Sequence, residues 1–96
     1  MPYIEEEDRK RLDPAVTAAV EAFLDLPMEE SLGDLNYLIS RIVAGVVGKP
    51  SYRKIAMATG VLENVKQELY RRMAAPYEDR KIAENGDVPE YGGQDG

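Results

Sequence analysis

Lys66 is the residue whose type and position most invite chemistry. On an unbroken helix it falls inside an apolar stripe with Leu62, Leu69, Tyr70 and Met73. An ammonium on semi-apolar ground is costly unless it is paired, and a phosphate or carboxylate is a suitable partner. The plainer reading lays its four-carbon stem on apolar surface and leaves the charge in water or on Glu63, three residues back. Downstream, Tyr70-Arg71-Arg72 and Pro76-Tyr77-Glu78-Asp79-Arg80-Lys81 interleave aromatic rings with cations. Rings and guanidinium groups in that order can stack on a base and grip phosphates. The competing reading packs Tyr70 and Tyr77 at a core edge and pairs the arginines with Glu68, Glu78, Asp79 or acids of the first half. Asn36, whose amide both donates and accepts, and Arg41 lie on the margin of another helix. The candidate ligand-binding set is therefore Asn36, Arg41, Lys66, Tyr70, Arg71, Arg72, Tyr77 and Arg80.

Chemistry that needs imidazole or thiolate is closed. The chain has no His and no Cys, which removes the Ser-His-Asp triad, the Cys-His dyad, the thiolate zinc site and the disulfide framework. Carboxylates alone could still hold Mg²⁺. Small all-α pyrophosphohydrolases place carboxylate pairs at i, i+3 on facing helices for that purpose. Here Glu5 and Asp8 have the spacing within a solvated acidic run, and Glu84 and Asp87 have it across Asn85-Gly86, which breaks a helix. Glu63 and Glu68 are five apart and face different directions. No cofactor or metal site is implied, and the balance leans away from an enzyme.

The elements that must position the candidates follow from composition and periodicity. The 96 residues are 44% hydrophobic and 31% charged, with a formal net charge of −6, as expected of one small soluble domain. Met1-Pro2-Tyr3-Ile4 followed by four acids is the reverse of a secretory signal. The longest apolar run, Ile42 to Val47, is far short of the roughly 20 residues a bilayer span needs. These features point to a cytoplasmic protein without membrane or general nucleic-acid partners. The charge is zoned. Residues 1–48 hold four bases against ten acids, residues 49–81 eight bases against four acids, and residues 82–96 four acids alone. An anion site belongs on the central segment, unless the zones simply neutralise one another.

Glu5 to Arg11 reads as a short helical turn with acids first and bases last. Asp13-Pro14 reads as the start of the first main helix, with Val16, Val20, Phe23 and Leu24 at helical spacing. Ser31-Leu32-Gly33-Asp34 resembles a capping box with Asp for Glu. Leu35, Leu38, Ile39, Ile42, Val43, Val46 and Val47 then give the second helix an apolar face about half its circumference wide. Gly45, on the edge of that face, would let another helix approach closely. Gly48 and Pro50 end the helix. Ser51 caps a third helix, with Tyr52, Ile55, Thr59, Leu62, Val65, Leu69, Tyr70 and Met73 as its stripe. Gly60 weakens it midway and Pro76 ends or kinks it at Ala75. A last short helix, about Tyr77 to Glu84, stops at a left-handed cap on Asn85-Gly86.

The fold class is thus all-α: a small bundle of three main helices with a short C-terminal one, as a single domain over residues 1–86. Residues 87–96 read as a flexible acidic, Gly-rich tail. The second helix has more apolar width than two short neighbours cover, which points to a homodimer or higher homo-oligomer built on helices two and three.

Several segments resemble a family of small uncharacterised proteins of phage and prokaryotic genomes. They are Met1-Pro2-Tyr3-Ile4, Asp34-Leu35-Asn36-Tyr37-Leu38-Ile39, Gly60-Val61-Leu62-Glu63, and above all the stretch from Ala75-Pro76-Tyr77-Glu78-Asp79 through Asn85-Gly86-Asp87-Val88. The resemblance implies a stand-alone protein and supplies no activity. The resulting expectation is a non-enzymatic oligomeric binding protein, with a host protein or a small anionic ligand as its partner. The alternatives are a sponge that holds a nucleotide between subunits and, behind it, a Mg²⁺-dependent nucleotide hydrolase.

Overall fold

A computed structural model describes residues 3–92. The order is α1 (Glu6–Glu21), a 3₁₀ turn (Met28–Glu30), α2 (Leu32–Val47), α3 (Tyr52–Leu69), a π-helical segment (Tyr70–Ala74), α4 (Ala75–Asn85) and a one-turn α5 (Pro89–Gly92). The fold is all-α, and no strand occurs among the described residues. By its internal contacts the chain divides into two units, Met1–Ala58 and Thr59–Gly96. The expected tail includes α5, while residues 93–96 lie outside the described part, as do Met1 and Pro2 of the N-terminal motif.

In the first unit, α1 departs from the sequence reading. It is one helix from Glu6 that runs through Asp13-Pro14, so Pro14 is interior and does not open a new helix. Glu6, Glu7 and Asp8 in the first turn face the positive end of the helix dipole and favour the earlier start. The proline deprives the Lys10 carbonyl of its helical donor. Ser31 also departs. It stands at the N-cap of α2 but makes no side-chain cap, so the Ser31–Asp34 capping box does not form. Its hydroxyl instead donates to the Pro27 carbonyl at 3.0 Å, and at 4% exposure Ser31 is the one buried residue described. α2 ends as expected, at Gly48 with a φ of 67° that side chains other than glycine resist.

α3 begins with Ser51 Oγ accepting from the Lys54 amide at 3.2 Å, a true cap. It passes Gly60 without interruption. Pro76 neither stops nor starts a separate rod. The backbone widens to π-helix over Tyr70–Ala74 and re-enters α-helix at Ala75, with Pro76 in the first turn of α4. A π segment relaxes the i to i−4 register just where Pro76 has no N–H to give. α4 closes on Gly86 at φ 86°.

The main finding about packing is negative. Among the described residues no hydrophobic side chain is buried. Phe23, Leu35, Leu38, Val43 and Val47 are half-buried, whereas Ile42 is 54% and Val46 84% exposed. The amphipathic stripes read from the sequence form helix faces that the described residues cover only in part.

Candidate functional site

The candidate residues fall in both units and are best described unit by unit. In the first, Asn36 and Arg41 lie on successive turns of α2. Asn36 Oδ1 accepts from Ser40 Oγ at 3.4 Å. Arg41 donates to the Tyr37 hydroxyl at 2.7 Å and holds its guanidinium carbon 5.6 Å from the centre of that ring. The hydrogen bond and the cation–π contact fix an otherwise flexible side chain along the helix.

In the second unit, Lys66, Tyr70 and Arg71 line one hollow of about 480 Å³ with Gln67, Leu69 and Ala74. All three already have partners. Lys66 Nζ lies 3.5 Å from Glu63 Oε1, with its side chain 75% exposed. Of the two readings of Lys66, the geometry matches the solvated one paired to Glu63. Arg71 Nη2 donates to both carboxylate oxygens of Glu68 at 3.2 Å. The Tyr70 hydroxyl donates to Glu78 Oε2 at 3.3 Å. The negative charge of Glu78 and this hydrogen bond raise the Tyr70 phenol above its ordinary value of 10.0. Arg80 and Lys81 both lie over the Tyr77 ring, at 5.7 and 5.6 Å. The Arg72 side chain makes no ion pair or hydrogen bond among the described residues. The bases of this segment are mostly answered by nearby carboxylates on the same helices.

A second concavity is lined mainly by small and apolar residues. α1 and α2 enclose an open cleft of about 660 Å³, with Ala15, Ala18, Ala19 and Ala22 facing Tyr37, Leu38 and Ile42. The alanines recur at i, i+3, i+4 and i+7, so a search for small residues at helical period would have found this face. Its lining has one ionisable carboxylate, Asp34, and suits apolar contact rather than catalysis. Among the described residues no three carboxylates gather where a metal could sit, and no helix is long and apolar enough to cross a membrane.

Together these features define a small all-α protein with partly open apolar helix faces. The chain belongs to the family described as domain of unknown function DUF6899, which matches residues 1–88. No curated protein and no solved structure matches it.

Proposed function

We propose that the protein is a non-enzymatic, cytoplasmic binding protein of phage or prokaryotic type that works as a homo-oligomer. The observation that carries this is the lack of any buried hydrophobic residue among those described, in a chain whose helices have well-ordered apolar stripes. Ordering a residue costs about 1–2 kcal/mol in backbone entropy, and apolar burial is the main term that offsets it. A single copy leaves that term largely unused. Association supplies it, and helical interaction proteins commonly complete their core this way.

Light scattering coupled to size exclusion, run beside far-ultraviolet circular dichroism over a dilution series, tests the reading. A mass of at least two chains and helicity that falls on dilution are the expected results. A monomer at every concentration with constant helicity removes it.

One observation favours a second reading, that of a binder of a small anion. The hollow beside α3 brings Lys66, Tyr70 and Arg71 together. Against it, both cations are already paired to Glu63 and Glu68, so an incoming phosphate has to displace carboxylates.

A further inference from the structure

We infer that α2 is the self-association surface, and that it pairs antiparallel with α2 of a second copy in a fixed register. This rests on the oligomeric reading above and names its interface. Leu35, Ile39, Ile42 and Val46 are spaced 4, 3 and 4 apart, the spacing of a coiled-coil seam. α1 lies on the side of Tyr37 and Leu38, with Ile42 at the rim of that cleft. Of the rest of the seam, Leu35 is half-buried, while Ile39 is 43% and Val46 84% exposed. The spacing of the seam also reads the same in both directions. With the two copies antiparallel, Leu35 meets Val46 of the second copy and Ile39 meets its Ile42, twice each by symmetry. Gly45 sits at a flanking position, where an added Cβ would meet nothing within 4 Å of its own chain.

Charge selects both the occupant and the direction. Glu29, Glu30 and Asp34 stand at the start of α2; Lys49, Arg53 and Lys54 follow its end. Among the described residues none of these six is in an ion pair. Antiparallel pairing lays three acids of one copy beside three bases of the other at both ends of the seam. It opposes the helix dipoles as well. Parallel pairing would stack acids on acids and bases on bases, which is unfavourable. A second copy of this chain therefore supplies both the apolar face and the complementary charges.

Because the natural chain has no cysteine, single-cysteine variants give a clean test. Full-length Leu35→Cys and Val46→Cys chains, one carrying a mass tag, are oxidised alone and as a mixture. The expected result is a mixed disulfide about tenfold above either self-linked product, the ratio set by a 1.4 kcal/mol preference. Efficient self-linking by Leu35→Cys alone indicates parallel pairing and overturns the inference. If natural chains scatter as dimers while the mixture does not link, the copies meet on another face: this inference falls and the oligomeric reading stands. If the natural chain is monomeric, both fall. A second pair guards against a misfolded cysteine variant. Chains with Glu29→Lys, Glu30→Lys and Asp34→Lys, and chains with Lys49→Glu, Arg53→Glu and Lys54→Glu, should each lose self-association and regain it when mixed. Failure to regain it overturns the charge argument and with it the antiparallel register.

Discussion

The Tyr70 hydroxyl and the Glu78 carboxylate meet at 3.3 Å across the π-helical segment. Eight positions of regular α-helix separate backbones by about 12 Å, so the two side chains stretch toward each other along the axis, over the turn where the register loosens. The contact bridges the π segment and the first turns of α4, and it raises the Tyr70 phenol. Folding thus strengthens proton binding at Tyr70. Any stability from this contact is present in full below pH 10.0, the ordinary value, and is lost as pH climbs past the raised one.

The matching prediction is spectroscopic. Absorbance of tyrosinate across an alkaline titration should show a component ionising above the ordinary phenol value of 10.0. Glu78→Gln removes the charge and should bring that component back toward 10.0. A titration curve identical in both proteins would mean that the contact does not persist in solution.

Pro14 gives a prediction on stability. It sits within α1, where it removes a hydrogen bond to the Lys10 carbonyl. Interior proline costs a helix about 3 kcal/mol relative to alanine. Pro14→Ala should raise helicity at 222 nm and move the thermal midpoint up, with a gain on the order of 1–3 kcal/mol. An unchanged or lowered midpoint would show that the proline is accommodated without cost, or that it shapes a contact that alanine cannot make.

Ser31 is the counterpart at the start of α2. Its hydroxyl ties the 3₁₀ turn to the helix through the Pro27 carbonyl, which also accepts from the Glu30 amide at 3.0 Å. Since that carbonyl keeps one partner, Ser31→Ala should cost about 0.5–1.5 kcal/mol and no more. Urea denaturation measures it. A loss well above that range would mean that the hydroxyl has a second role at this buried position.

The helical class, the ends at Gly48 and Gly86 and the stripes on α2 and α3 were legible because each rests on local chemistry. Positive φ demands glycine, and an apolar period of 3.6 demands a helix face. At α1 the start signal of Asp13-Pro14 is outweighed by the acids Glu6, Glu7 and Asp8 at the positive end of a longer helix. Ser31 misled because a hydroxyl that can cap can equally bond backward to a carbonyl. The charged candidates are visible in the sequence one by one. Their mutual arrangement is not, because the partner of Lys66, Arg71 or Tyr70 depends on rotamers and on the π segment. The alanine face of α1 is not legible from chemistry-bearing residue types, because it is built from small apolar side chains.

The last prediction concerns the anion reading. Lys66 and Arg71 reach the hollow beside α3 with their charges already met by Glu63 and Glu68. A nucleotide must break exposed pairs, each worth at most about 1 kcal/mol, and must also bring its own negative charge beside two carboxylates. Binding only the native state raises stability, by about 2.7 kcal/mol when ligand exceeds its dissociation constant a hundredfold. For linear and cyclic nucleotides and pyrophosphate at hundreds of micromolar, the expected thermal shift is therefore indistinguishable from that given by the same ionic strength of chloride. A nucleotide-specific rise that Lys66→Ala and Arg71→Ala each abolish would reverse the order of the two readings. It would make the paired cations a gate that the ligand opens by exchanging one anion for another.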